Sequence, residues 1–339
     1  MINQSKTSDT HFCFESSNTS CPKYIYSTAV RASLYILLGA VIIMTVFGNL
    51  LVIITIAQMK QLHTPTNFLV LSLAVADFLL GAMVMPPSMV RSLETCWYLG
   101  NVFCRIHSST DVMLCCASIL NLLLISIDRY YAVCQPLHYH TRVTNCVTVI
   151  MILTFWSLSA FILFGMMLFN MSTRNAEDIY RNSFQCEGSC SVLQSRMSSV
   201  ISSVLGFFTP ALVIIVLYLK ILVIARRQAC SIQSRMCANV NLEKNKPSRN
   251  KGEHKATRTL AIVVGVYLAC WAPWFLCNLI SPDVVITSPI FTEMLIWLAY
   301  FNSAINPVIY AFSFSWFRKP FNFFLKKIYQ FQGTLQFTM

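Results

Sequence analysis

The sequence predicts an all-α membrane protein, a seven-transmembrane helix bundle followed by a short amphipathic eighth helix. Of its 339 residues, 56% are apolar and 11% charged, and the mean hydropathy is +0.60, a balance that cannot furnish a water-facing surface. Five windows of twenty or more residues (32–59, 143–173, 197–219, 259–282 and 294–317) contain no Asp, Glu, Lys or Arg, and each is long enough to cross a bilayer. Two more apolar stretches, 61–91 and 101–134, are broken only by isolated charges, which brings the number of spans to seven. Backbone polar groups in lipid must be satisfied within the segment, so the spans are helices rather than ten-residue alternating strands.

In chain order, residues 1–30 are polar and form a short extracellular N-terminus. They hold no cleavable signal, because the first apolar run is long enough to span and anchor itself. Asn3 and Asn18 head glycosylation sequons there. The bundle occupies 31–313, with helices at 31–58, 66–91, 101–134, 145–169, 195–226, 253–280 and 289–313. A cytosolic third loop covers 227–252, and the amphipathic helix and tail cover 314–339, where aromatics alternate with bases from Phe314 to Lys327. Orientation follows from the basic residues. Residues 226–258, between the fifth and sixth spans, and the tail together carry thirteen basic and two acidic residues, hence +11 of the formal +12, and such excess resists transfer across the membrane. The N-terminus then lies outside, at the plasma membrane. The same excess could suggest a nucleic-acid partner, but it lines membrane exits and no nucleic-acid fold accompanies it. Cys13, Cys21, Cys96, Cys104, Cys186 and Cys190 fall in the oxidising half and are disulfide candidates, whereas zinc at Cys186-x3-Cys190 lacks the accompanying ligands.

The third span is the most informative. Asp111 shares a helical face with Cys115 and Ser118, with Cys104 two turns above, and Asp128 lies about 26 Å further along. No Lys or Arg of another span lies at a depth to neutralise Asp111, so water or a cationic ligand supplies the counter-charge. Phe207, Trp271, Trp274, Phe275, Trp297 and Tyr300 provide aromatic faces for an ammonium ligand, although rings in a bundle also simply pack. Ser202 and Ser203 are hydrogen-bond candidates for a polar ligand end, or small residues at a helix interface.

An ordered set of short motifs spans all seven helices: Gly48-Asn49, Leu73-Ala74-x-x-Asp77, Asp128-Arg129-Tyr130, Trp156, Pro210 with Tyr218, Cys270-Trp271-Ala272-Pro273 and Asn306-Pro307-Val308-Ile309-Tyr310. The set resembles the rhodopsin-like G-protein-coupled receptors. Asp111, seven residues after Cys104, and Tyr300 look like the amine-binding pair of the aminergic members. The string from Asn302 to Phe317 resembles the trace amine-associated group, and Gln61–Asn67 with His107–Asp111 is most similar to its first subtype. Two departures stand out: Pro86-Pro87 where relatives carry tyrosine, and Gly206 without a hydroxyl.

The resemblance implies a receptor, not an enzyme, for small protonated amines, with primary phenethylamine-like ligands favoured because no aspartate accompanies Ser202 and Ser203. It implies a heterotrimeric G-protein partner, of the stimulatory type that raises cyclic AMP. The implied activation switch comprises Asp128, Arg129, Tyr218, Trp271, Pro273, Asn306, Pro307 and Tyr310, with Glu253 latching Arg129. The resemblance implies a Cys104–Cys186 bond, leaving Cys190 for Cys13 or Cys21. No cofactor is required. Asp77, Ser118, Asn302, Ser303 and Asn306 are implied to hold an allosteric sodium ion, for which a water-filled polar network is the alternative. Another aminergic type (serotonin, histamine or adrenergic) is the nearer competitor. An amine transporter would show paired interrupted helices, and a membrane enzyme a catalytic motif such as HExxH; neither is present.

Overall fold

The computed structural model describes residues 11–17, 19–172, 186–190, 196–238, 248–280 and 289–313. Seven helices among them are long and apolar enough to span a membrane. They are α1, Thr28–Gln58; α2, Pro65–Leu79 continued through a π-helical turn at Leu80–Val84 into Met85–Glu94; α3, Gly100–Cys134; α4, Asn145–Ser172; α5, Arg196–Ser203 continued through a second π turn at Val204–Phe208 into Thr209–Ala238; α6, Ser248–Ile280; and α7, Pro289–Ser313. A two-turn helix at Pro136–Arg142 joins α3 to α4. Asn3, Asn18 and the eighth helix expected from Phe314 lie outside the described residues.

Local chemistry sets the ends. Pro65 opens α2 where a missing N–H costs nothing, and the Thr64 hydroxyl accepts from the Asn67 N–H. Gly100, at φ +76°, lets the chain turn into α3, and its carbonyl accepts the Trp97 indole N–H at 2.9 Å. α5 continues to Ala238, twelve residues past the expected boundary, because hydropathy marks where lipid ends and not where helical hydrogen bonding ends.

α3 is the central helix, in contact with α2, α4, α5 and α6. Polar side chains staple the others. The Asn49 amide donates to the Ser303 carbonyl at 3.1 Å, joining α1 to α7, and the Trp156 indole donates to Ser72 Oγ at 2.9 Å, joining α4 to α2. α1 and α7 approach closely at Gly48, where an added Cβ would lie 2.9 Å from both Cβ and Cγ of Pro307. Gly48→Ala is therefore expected to cost about 1–3 kcal/mol, read as a lower melting temperature of the detergent-solubilised protein; an unchanged value would show that the two helices part freely.

One end of the bundle carries a collar of chain. Residues 11–17 and 19–23 fold back on themselves and onto 186–190, with bridges Phe12↔Pro22 and Ser20↔Glu187. Three disulfides fix the collar: Cys13–Cys96, Cys21–Cys186 and Cys104–Cys190. This corrects the pairing that the resemblance implied. Cys104 of α3 joins Cys190, and Cys186 joins Cys21 of the N-terminal segment. Backbone register is the reason. The Cys21 N–H donates to the Glu187 carbonyl and the Glu187 N–H to the Thr19 carbonyl, each within 2.9 Å, which lays Cys21 beside Cys186. Gly188, at φ +99°, then turns the chain so that Cys190 reaches α3. A Cβ on Gly188 would lie 2.6 Å from Cys13 Cβ, so the turn is packed against the Cys13–Cys96 bond as well.

The collar is also held by charge. Glu94, at the end of α2, accepts from Tyr35 at 2.9 Å and pairs with Lys23 at 3.5 Å and Arg31 at 3.7 Å. The Tyr98 hydroxyl, with help from Glu94, holds the Lys23 ammonium above its usual range.

Candidate functional site

Asp111 sits half-buried on α3, three turns below the collar end of that helix. The Tyr300 hydroxyl of α7 donates to Asp111 Oδ2 at 2.7 Å, and the Cys115 thiol, one turn along, donates to Oδ1 at 3.4 Å. No Lys or Arg among the described residues reaches ion-pair distance of this carboxylate. The nearest basic group of α2, Arg91, is committed elsewhere. Its Nε lies 2.9 Å from Glu293 Oε1 on α7, and the Ser92 hydroxyl donates to the same carboxylate at 2.5 Å. A carboxylate surrounded by neutral donors in a low-dielectric bundle attracts a cation that can bring its own charge.

The aromatic candidates divide into two groups. Phe207 of α5 stacks on Phe275 of α6 at 4.6 Å, and Phe275 meets Trp271 at 5.9 Å. These three form a continuous apolar wall with Tyr267, which sequence reasoning passed over and which lies 5.7 Å from Phe207. Cys115, the thiol bonded to Asp111, packs against this cluster. Trp297 belongs to the other group. Its indole N–H donates to Ser92 Oγ at 3.0 Å and its ring meets Tyr300 edge-on at 5.6 Å, within a cluster that includes Leu38, Leu80 and Val84 of α1 and α2. Trp297 thus braces Tyr300. Trp274 is half-buried and makes no ring contact among the described residues. On α5, Ser203 is buried and Ser202 exposed, so the pair expected to act together points in different directions.

Deeper in the bundle Asp77 is fully buried. Ser303 and Ser118 donate to its Oδ1 at 2.7 and 3.1 Å, and the Asn306 amide donates to Oδ2 at 2.8 Å. Four of the five residues expected to hold sodium therefore meet directly. The fifth, Asn302, is buried beside them, and neither of its amide atoms, nor Asn306 Oδ1, has a hydrogen-bond partner among the described residues. Unfilled oxygens next to a carboxylate suit a hard cation.

At the end opposite the collar, Asp128 is 3% exposed and gathers three elements. It pairs with Arg129 at 2.5 Å, accepts from Thr66 of α2 at 2.8 Å, and accepts from Tyr139 of the short connecting helix at 2.7 Å. Arg129 also donates to Thr66. Burial pushes the Tyr139 phenol up, which keeps it a donor. Tyr139 escaped the sequence reading, and Thr66 entered it only within the Gln61–Asn67 string, since their partner Asp128 lies on another helix. Tyr218 is half-buried and Tyr310 buried; Pro273 and Pro307 interrupt α6 and α7 from inside. The Glu253 side chain, expected to latch Arg129, lies outside the described residues.

The family model for 7 transmembrane receptors (rhodopsin family) matches residues 48–310. Trace amine-associated receptor 1 of Macaca mulatta is 47% identical over 323 residues, covering 94% of this chain and 95% of that protein, and the Homo sapiens protein of the same name gives the same figures. Trace amine-associated receptor 4 of Mus musculus is 42% identical over 313 residues, 92% of this chain and 90% of its own length.

Proposed function

We infer the function from one premise, that this chain belongs to the rhodopsin family of seven-transmembrane receptors. It is a multi-pass membrane receptor and not an enzyme. Its ligand is a small protonated amine, primary and phenethylamine-like, which enters from the collar side, outside the cell. The observation that carries this reading is the Asp111 carboxylate, met by the Tyr300 hydroxyl and the Cys115 thiol but by no described cation. The ligand ammonium pairs with Asp111 while its ring lies against Phe207, Phe275 and Trp271. The names of the relatives support the ligand class, and the absence of an acid beside Ser202 and Ser203 on α5 supports primary amines.

The signal crosses the bundle by a population shift. Pro273 removes a helical hydrogen bond and gives α6 a hinge. A ligand that presses on Trp271 stabilises the arrangement with the far end of α6 swung outward, and it need only bind that arrangement more tightly to populate it. Asp128, Arg129, Thr66 and Tyr139 hold the resting arrangement, Glu253 adds a latch to Arg129, and Tyr218 and Tyr310 hold the open one. The partner is a heterotrimeric G protein of the stimulatory type, received at this cytosolic end. Asp77, Ser118, Asn302, Ser303 and Asn306 would hold a sodium ion, whose charge offsets the buried carboxylate.

Expression in cultured cells with cyclic AMP as the readout tests the reading against 2-phenethylamine, tertiary amines and catecholamines. Primary amines are expected to raise cyclic AMP at the lowest concentrations, and no response to any amine from a surface-expressed receptor overturns it. Asp128→Asn removes the charge that Arg129, Thr66 and Tyr139 share. Weakening such charge-assisted bonds is expected to raise ligand-free cyclic AMP about threefold or more at matched surface expression; an unaltered baseline would mean that the cluster does not restrain the resting form.

A further inference from the structure

One turn above Asp111 on α3 lies His107, 3% exposed, whose role the amine pocket alone does not explain. Its Nε2 is 3.0 Å from the Val84 carbonyl and 3.2 Å from Ser88 Oγ, both on α2. A carbonyl can only accept, so Nε2 carries the proton. Ser88 Oγ also lies 3.4 Å from the Tyr300 hydroxyl, whose own proton goes to Asp111 at 2.7 Å. The one Nε2 proton is shared between the Val84 carbonyl and Ser88 Oγ, so Ser88 accepts from His107 and its own O–H is left for Tyr300, as the Tyr300 O–H is for Asp111. Every donor in the series points toward the carboxylate.

The remaining nitrogen, Nδ1, is buried and has no hydrogen-bond partner among the described residues. Burying an idle polar atom destabilises the fold, so a phenyl ring would fill the space better if space were the requirement. What a phenyl ring cannot supply is the Nε2–H. The ring is also clamped from the collar side. Trp97 lies 5.3 Å and Phe103 6.4 Å from it, centroid to centroid; the Trp97 backbone N–H donates to the Gly188 carbonyl at 2.8 Å, and the neighbouring Cys96 is bonded to Cys13.

We propose that His107 is a positioning residue for ligand binding: through Ser88 it orients the Tyr300 hydroxyl that aims Asp111, and its clamp by Trp97 ties that aim to the disulfide collar. The inference rests on Asp111 being the amine site. It makes affinity for amines depend on a group that the ligand need not touch.

The test uses the full-length receptor, with 2-phenethylamine as the probe in binding and cyclic AMP assays and with the melting temperature of the purified protein measured in parallel. His107→Phe is expected to leave the melting temperature unchanged or higher while weakening 2-phenethylamine about tenfold. His107→Gln, whose amide can donate from the Nε2 position, is expected to recover most of that loss. Ser88→Ala is expected to reproduce it, and His107→Phe with Ser88→Ala together to be no worse than either alone, as members of one chain of bonds should be. Wild-type affinity in His107→Phe, additive losses, or a loss that follows melting temperature and is not recovered by Gln would overturn the proposal. Asp111→Ala run alongside separates the two failures: if it also leaves affinity intact, the amine site itself is misplaced and the positioning role falls with it.

Discussion

Asp111→Ala is expected to move the 2-phenethylamine response to roughly 100-fold higher concentration or beyond measurement, at unchanged surface expression. The size follows from what is left behind. Removing one member of a buried ion pair costs about 3–5 kcal/mol, because the other charge stays desolvated without compensation, and about 1.4 kcal/mol is tenfold in affinity. Here the stranded group is the ligand ammonium, which would face the Tyr300 hydroxyl and the Cys115 thiol with no carboxylate between them. Asp111→Asn separates charge from shape. It keeps an oxygen to accept from Tyr300 and should lose nearly as much, whereas near-normal potency in that variant would mean that hydrogen bonding and not charge selects the ligand. The aromatic wall cannot make up the deficit, since a cation–π contact contributes about 0.5–2 kcal/mol.

Cys104→Ala is expected to remove the receptor from the cell surface, and Cys190→Ala to do the same. Their bond closes a loop with a sequence separation of 86, for which the chain-entropy account gives about 4–5 kcal/mol, a large share of any fold's net stability. The pattern of equivalence carries the information. Cys104 and Cys190 variants should match each other, and Cys21 and Cys186 variants should match each other, with each double variant no worse than its singles. Non-reducing peptide mapping reads the same fact directly. A Cys104–Cys186 peptide pair would refute the collar as described, including the register of Ser20 against Glu187 on which it depends.

The contrast between the legible and the illegible parts of this chain is physical. Seven spans were plain from hydropathy, and the described α1, Thr28–Gln58, ends where charge-free sequence ends. Asp77 and Asp111 were plain because an acid in an apolar run demands compensation wherever the run folds. Disulfide pairing was not, since Cys186 and Cys190 are four residues apart and only two backbone hydrogen bonds to the N-terminal segment decide which faces α3. His107 was quoted in a motif but its task was hidden, because its partners Val84 and Ser88 lie on another helix. The surroundings of Trp297 and Ser202 were hidden for a related reason: residue type suggested an aromatic face and a hydrogen-bond partner for a ligand, while only the fold shows the Trp297 indole bonded to Ser92 of α2 and Ser202 exposed.

The π turn at Leu80–Val84 makes α2 two rods joined out of phase. Each residue advances a regular α-helix by about 100°, and a π turn holds one residue more than the α-helix would. Everything beyond the joint therefore takes a different compass bearing from everything before it. The far rod presents Ser88 to His107 and Tyr300, while the near rod keeps Asp77 facing Ser118 and Ser303. Deleting a single residue from the joint is expected to swing the far serines off target while the near half, with Asp77, keeps its bearing.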